Sequence, residues 1–268
     1  MNDSIEMKDS YLIFSLANTT YCVKCRDLKS IVRLDKIHAS PDLPKYIRGY
    51  IDTLDKMIPA IDLRLFINKS SIQDEATELI ETIKARREEH VVWFNTLVEC
   101  VTKNKKVKLE TDHHKCEFGK WYDTFKTEDL GLRQFLFQFS GPHFELHNIA
   151  KYVFSLIEKN RNSEALKIIE DTKNNSYKDI ISLFDSFGDI YRNSIKELAI
   201  VLQNNDRYMA LIVDKVLYID KIIEQNNLSN RYDMSAKNNF EVCKLSKNDL
   251  VALLFDTDWL FESINLLV

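Results

Sequence analysis

Between residues 11 and 63 apolar and polar positions alternate, in Tyr11-Leu-Ile-Phe-Ser-Leu16, Thr20-Tyr-Cys-Val-Lys-Cys25 and Met57-Ile-Pro-Ala-Ile-Asp-Leu63. A period of two is the signature of strands, and Pro41, Pro44 and Pro59 stand between these runs or at their ends. From about Ser71 the period lengthens. Ala76, Leu79, Ile80, Ile83, His90, Phe94, Leu97 and Val101 recur at three and four, which predicts an amphipathic helix of about 30 residues. The polar, basic stretch from Thr102 to Lys108 reads as a linker. A second helix is expected from near Asp112, capped by Thr111 or Asp112, through Cys116, Trp121 and Phe125. A third follows Ser140-Gly-Pro142, where proline suits the first turn, with Phe139, His143, Leu146, His147, Ala150, Phe154 and Ile157 on one face. The fourth spans about Ser163 to Asn193, through Leu166, Ile169, Tyr177, Ile181, Phe184, Phe187 and Tyr191. After Ser194 strand character returns, in Leu198–Leu202, Tyr208–Tyr218, Phe240–Leu245 and Leu250–Phe255.

The pattern gives an α+β protein. A discontinuous β domain, residues 1–70 and 195–268, is interrupted by a four-helix bundle, residues 71–194. Either flank alone makes a poor core, whereas together they make one ordinary domain. Composition agrees: 45% apolar and 29% charged residues belong to a folded chain, and only five glycines and four prolines leave little turn punctuation. With 37 basic and 41 acidic residues, net charge −4, and Lys103-Asn-Lys-Lys-Val-Lys108 as the one short basic cluster, nucleic acid is not an expected partner. No stretch approaches the ~18 apolar residues needed to cross a bilayer, and Met1 to Tyr11 is too polar and acidic for a signal peptide. The reading is a cytoplasmic protein without membrane insertion. Five irregularly spaced cysteines in a chain of this size point to reduced thiols or metal ligands.

His143 and His147, at i and i+4, leave one face of the third helix about a turn apart. Such a pair alone is as well explained by two hydrogen-bonded histidines. His90, however, also falls on an apolar stripe, where an unpartnered imidazole would be costly. Cys116 is expected in the first turn of the second helix, where dipole and free N–H groups favour a thiolate. Three imidazoles and one thiolate converging in a bundle form a closed tetrahedral zinc set. Asp112, four residues before Cys116, is expected either to orient a ligand imidazole or simply to cap the helix. Trp93 and Trp121 are expected to pack around the site. His113 and His114 would be carried away from Cys116 by the helical turn.

His90-x-x-Trp93, Cys116-x-Phe118-Gly119-x-Trp121 and His143-x-x-x-His147 together resemble the pattern of the chemoreceptor zinc-binding (CZB) domain, across about residues 73–193. The resemblance implies a four-helix bundle in which His90, Cys116, His143 and His147 bind zinc, and it suggests pairing of two copies through the bundle. Residues 42–63, with Leu211-Ile-Val-Asp-Lys-Val216 and Val251 to Phe255, resemble CheW, the coupling protein of chemotaxis. That likeness implies a paired β-barrel domain joining chemoreceptors to the histidine kinase CheA, and no enzymatic activity. The family usually has Leu-Arg-Gly where this chain has Leu54-Asp55-Lys56, whereas Arg48-Gly49 is retained. The reversed charge puts Arg48, Asp55, Lys56 and Asp214 forward as the partner surface in question. The Cys22-x-x-Cys25 pair, Cys100 and Cys243 read as packing residues.

The expected function is a signalling scaffold whose zinc set senses either zinc itself or an oxidant such as hypochlorous acid acting at Cys116. A purely structural zinc is the competing reading. A zinc hydrolase is the third, and would require Cys116 not to bind and Glu117 or Asp112 to face an open position.

Overall fold

The computed structural model describes residues 10–103, 107–227, 240–247 and 250–264. Met1 to Asp9 and the centre of the basic cluster, residues 104–106, therefore lie outside the described residues. The chain divides into two compact units, residues 1–72 with 196–268, and residues 73–195.

The first unit holds two sheets. Strands β1 (Tyr11–Leu16), β2 (Thr19–Lys24), β3 (Leu28–Arg33), β4 (Ile47–Thr53) and β5 (Lys56–Asp62) precede a short helix α1 (Leu63–Phe66). After the second unit come β6 (Leu198–Asn204), β7 (Arg207–Val213), β8 (Lys215–Asp220), β9 (Ile222–Asn227), β10 (Glu241–Leu245) and β11 (Val251–Leu254). The expected pair of β structures is a six-stranded sheet, β8-β1-β2-β11-β10-β9, and a five-stranded one, β3-β6-β7-β5-β4. Both sheets mix the flanks: β1 pairs with β8 and β3 with β6 antiparallel, and β2 with β11 and β5 with β7 parallel. This is the physical reason the flanks must be read as one domain.

Phe14, Val23, Ile61, Leu211 and Phe255 share one core drawn from both sheets, with smaller apolar clusters elsewhere in the unit. Central strands are thus buried on both faces, and β7 loses its alternation. The run Tyr208–Tyr218, expected as one strand, breaks at Asp214. The Asp214 carboxylate accepts the Ala17 N–H at 2.8 Å and both Nε and Nη2 of Arg64 at 2.7 Å, and the chain passes there from one sheet to the other.

The second unit is helical. The long helix α2 (Ile72–Thr102) buries Ala76, Ile80, Ile83, His90, Phe94, Leu97 and Val101, the stripe read from the sequence. Helix α3 begins five residues later than expected, at Glu117, and ends at Thr124. A further short helix, α4 (Leu130–Phe137), follows, capped by the Asp129 carboxylate on the Leu132 N–H at 2.8 Å. Helix α5 is Ser140–Glu158. The expected fourth helix is continuous but not regular: α6 (Asn162–Thr172) passes through a π-helical turn, Lys173–Tyr177, into α7 (Lys178–Ser194). Phe118, Phe139, Leu146, Phe184 and Phe187 lie in the unit's own core.

Candidate metal centre

Two helices and the residue that caps a third deliver the donors. His90 comes from α2, His143 and His147 from α5, and Cys116 from the residue that caps α3. Their ligand atoms all lie within 4.8 Å of one another. His147 Nε2 stands 3.4 Å from His90 Nε2, and Cys116 Sγ stands 3.3 Å from His143 Nε2 and 3.9 Å from His90 Nε2. Relative exposure of the three histidines is 2%, 2% and 1% in chain order.

Main-chain carbonyls fix two of the rings. His90 Nδ1 lies 2.7 Å from the Arg86 carbonyl and His147 Nδ1 3.0 Å from that of Glu110. Each therefore carries its proton on Nδ1 and turns a bare Nε2 lone pair inward. Burial pushes the pKa of His90 down to about 4 and of His143 to about 2, and lowers that of His147, so all three are neutral at pH 7. Facing lone pairs at 3.4 Å repel unless a cation stands between them, and the donor set has the chemistry zinc requires.

Cys116 corrects an expectation. It stands at the N-cap, not in the first turn, and its Sγ accepts the Gly119 N–H at 3.2 Å. Burial nevertheless outweighs that help and pushes the thiol up to about 11. The helix start alone does not make a thiolate; a bound cation would have to displace the proton. Gly119 makes the arrangement sterically feasible, because a Cβ there would meet the His113 carbonyl oxygen at 1.8 Å.

Asp112 does not orient an imidazole. Its carboxylate accepts the His114 N–H at 3.1 Å and pairs with Lys115, while main-chain oxygens hold the rings. Trp93 does more than pack: its Nε1 donates to the same Glu110 carbonyl at 2.9 Å, and its ring lies 4.8 Å from that of His147. Trp121 packs on Phe118, Phe125 and Phe187. Because α3 starts late, His113 is not carried away. Its carbonyl lies 3.3 Å from Cys116 Sγ and its ring 5.5 Å from that of His143. His114 turns to Asp123 at 2.8 Å. The rings of Phe118 and Phe184 wall the site beside His90; the sequence offered Phe118 only as part of the Cys116-x-Phe118-Gly119-x-Trp121 pattern and Phe184 only as an apolar position of the fourth helix.

Of the four residues expected on a partner surface, two are held internally. Arg48 pairs with Glu197, and Asp214 takes the bidentate pair with Arg64, so their charges are already matched. Asp55 and Lys56 stand exposed where β4 turns into β5, with Lys56 Nζ 4.2 Å above the Tyr208 ring. His38, without a role in the sequence, exchanges main-chain hydrogen bonds with Tyr50. Cys22, Cys25, Cys100 and Cys243 are buried thiols. No helix among the described residues is long and apolar enough to cross a membrane.

Comparison with known proteins adds two family matches. The CheW-like domain matches residues 10–92 and the chemoreceptor zinc-binding domain residues 90–154. The second span contains all four donors. No curated protein matches the chain. Among solved structures, the scaffolding protein TtCheW from Thermoanaerobacter tengcongensis is similar at 14% identity and a TM-score of 0.43, over 95% of this chain and 93% of that one. The chain therefore matches the CheW-like family over residues 10–92 and the chemoreceptor zinc-binding family over residues 90–154, and its helical unit stands in sequence between the two flanks of the β unit.

Proposed function

We propose that the protein is a non-enzymatic adaptor that couples chemoreceptors to the histidine kinase CheA, and that His90, Cys116, His143 and His147 bind zinc, with Cys116 as the oxidant-sensitive donor. The observation that carries the reading is the convergence, within 4.8 Å of one another, of one ring nitrogen from each of three buried histidines and the half-buried Cys116 Sγ. Zinc, when bound, would hold Cys116 as thiolate and tie three segments of the bundle together. Hypochlorous acid then has a single oxidisable donor. Its hydroxyl oxygen bonds to Sγ as the O–Cl bond breaks, chloride leaves, and sulfur is oxidised by two electrons to sulfenic acid. The sulfenic acid is a poorer donor than the thiolate, so the three imidazoles lose their partner and the bundle its fourth tie.

The four-donor set leaves a hydrolase no open position, and Glu117 and Asp112 are engaged with Lys120 and Lys115. A purely structural metal is the second reading, favoured by how fully the site is enclosed. For partner contact we place the β4–β5 turn, Leu54 to Met57, at the receptor or kinase surface, since Leu54 and Met57 are exposed apolar groups beside Asp55 and Lys56. Pairing of two copies through the bundle belongs to the same proposal. It is supported by Phe144 and Tyr152, about half exposed two turns apart on α5.

The test is zinc per chain on the reduced protein, then cobalt substitution and one equivalent of hypochlorous acid, with CheA activity read in a receptor-containing assembly. One zinc per chain, a thiolate-to-cobalt band that disappears on oxidation and a parallel change in kinase activity support the sensor. A lost band with unchanged kinase activity leaves a structural metal, and an unchanged band removes the oxidant role.

A further inference from the structure

We propose that His113 is a reserve ligand, which takes the place of Cys116 when that thiol is oxidised or removed; the inference rests on the zinc reading of His90, Cys116, His143 and His147. The His113 ring stands 5.5 Å from that of His143. Within the donor set the ring separations are 5.0 Å for His143 and His147, 5.2 Å for His90 and His143, and 5.4 Å for His90 and His147. A fourth imidazole is thus packed against one member of the cluster, His143, at a spacing just beyond the one the members keep among themselves.

Its main chain is equally close. The His113 carbonyl lies 3.3 Å from Cys116 Sγ, and the turn that carries both is clamped over Gly119, where no side chain would fit. The imidazole is also uncommitted. His90, His147 and His114 each have a ring nitrogen held by a carbonyl or a carboxylate. The His113 ring makes contacts with the rings of His114, His143 and Phe144, and no side-chain hydrogen bond among the described residues. Weak ring contacts are readily exchanged for a metal bond, and a nitrogen donor suits zinc as well as sulfur does.

The chemistry defines when the exchange occurs. Hypochlorous acid converts Cys116 Sγ to sulfenic acid, forming S–O, breaking O–Cl and releasing chloride; the hydroxyl proton stays on the new oxygen. The weakened donor leaves one coordination position, and rotation of the His113 side chain brings a ring nitrogen toward it. Oxidation would then change the ligand set from three nitrogens and one sulfur to four nitrogens with the metal retained.

The experiment uses the full chain as wild type, His113→Ala, Cys116→Ala, and the double variants Cys116→Ala/His113→Ala and Cys116→Ala/His113→Phe. Zinc per chain and affinity are read by competition with a chromophoric chelator, and helicity by circular dichroism. His113→Ala is expected to bind as wild type does, and Cys116→Ala to keep one zinc more weakly. Both double variants should lose more affinity relative to Cys116→Ala than the about 10–100-fold that removing a merely orienting group costs. Phenylalanine preserves the ring contacts, so its loss of zinc cannot be a packing defect. After one equivalent of hypochlorous acid, wild type should retain zinc and His113→Ala release it. Double variants that bind as Cys116→Ala does, or an oxidised His113→Ala that holds zinc as wild type does, overturn the role of His113 alone. Reduced wild type without zinc overturns the zinc site itself.

Discussion

Gly119 shows how much of the metal centre depends on a single hydrogen. Any Cβ at this position would overlap the His113 carbonyl, so Gly119→Ala is expected to push the turn off the helix start and carry Cys116 Sγ with it. Zinc affinity should fall by about 10–100-fold, read by chelator competition, while an unchanged affinity would show that the turn adapts without moving the sulfur. The three donor histidines set a pH dependence. Their folded pKa values lie below the ordinary 6.5, with His90 at about 4 and His143 at about 2. The unfolded chain therefore binds more protons, and stability is full above pH 6.5 and falls as pH drops toward the folded values. In the metal-free protein each histidine contributes up to about 1.4 kcal/mol per pH unit inside that window. Urea midpoints of the helical signal at pH 7.5 and 5 check it, and equal midpoints would contradict the burial described. The clustering of His90, Cys116, His143 and His147 was legible in the sequence because a histidine on an apolar stripe is a mark that side chains carry. The Arg86 and Glu110 carbonyls that orient two of the rings were not, since every residue has a carbonyl. His113 was misplaced because its position depends on where a helix starts.

Element boundaries explain the remaining differences. Periodicity located α2 closely, but it extended the next helix over Asp112 to Lys115, where Lys115 N–H on the Asp112 carbonyl closes a turn instead. The short helix Leu130–Phe137 was missed because two turns give periodicity too little length to register. The π-helical turn was equally hidden: one extra residue per turn leaves Tyr177 stacked on Phe94 at 4.2 Å and the Ser176 hydroxyl on Glu145, without a breaker residue to announce it. In the β4–β5 hairpin, Leu54 and Asp55 both have φ of 56°, the pair of left-handed residues a two-residue turn of this hand needs. Leucine is ill suited there, at a cost of about 1–2 kcal/mol. Replacing the pair by Asn-Gly (Leu54→Asn with Asp55→Gly) should raise the stability of the two-sheet unit by about 1 kcal/mol in urea titration. A neutral or destabilising result would mean that the Leu54 side chain has contacts worth more than its strain. If the turn is a partner surface, the same double change should weaken binding while it stabilises the fold.

At the scale of the molecule, the apolar cores separate along the same line as the two compact units, each core cluster drawing its residues from one unit. Denaturant unfolding is therefore expected to show two transitions, with zinc chelation lowering the helical one and leaving the other in place. A single transition that moves as a whole on chelation would refute this independence. Arg64→Ala tests the other unit. It strips the bidentate partner, itself buried, from the half-buried Asp214 and removes a donor to the Ser70 carbonyl, so a loss of about 3 kcal/mol is expected in the zinc-insensitive transition. The division into an interrupted β domain and an insert was readable from the change of period at Ser71 and its reversal after Ser194. What periodicity does not carry is which strands pair, because parallel partners such as β2 and β11 are joined only by the closure of the sheet. That closure also sets a timetable for synthesis. While the chain leaves the ribosome, the helical unit is complete before Leu198 has emerged, whereas β1, β2, β3 and β5 must each wait for a neighbour made later. The nascent protein finishes its insert first and its host last, so the early strands spend much of translation as unpaired edges, in need of a chaperone or of haste.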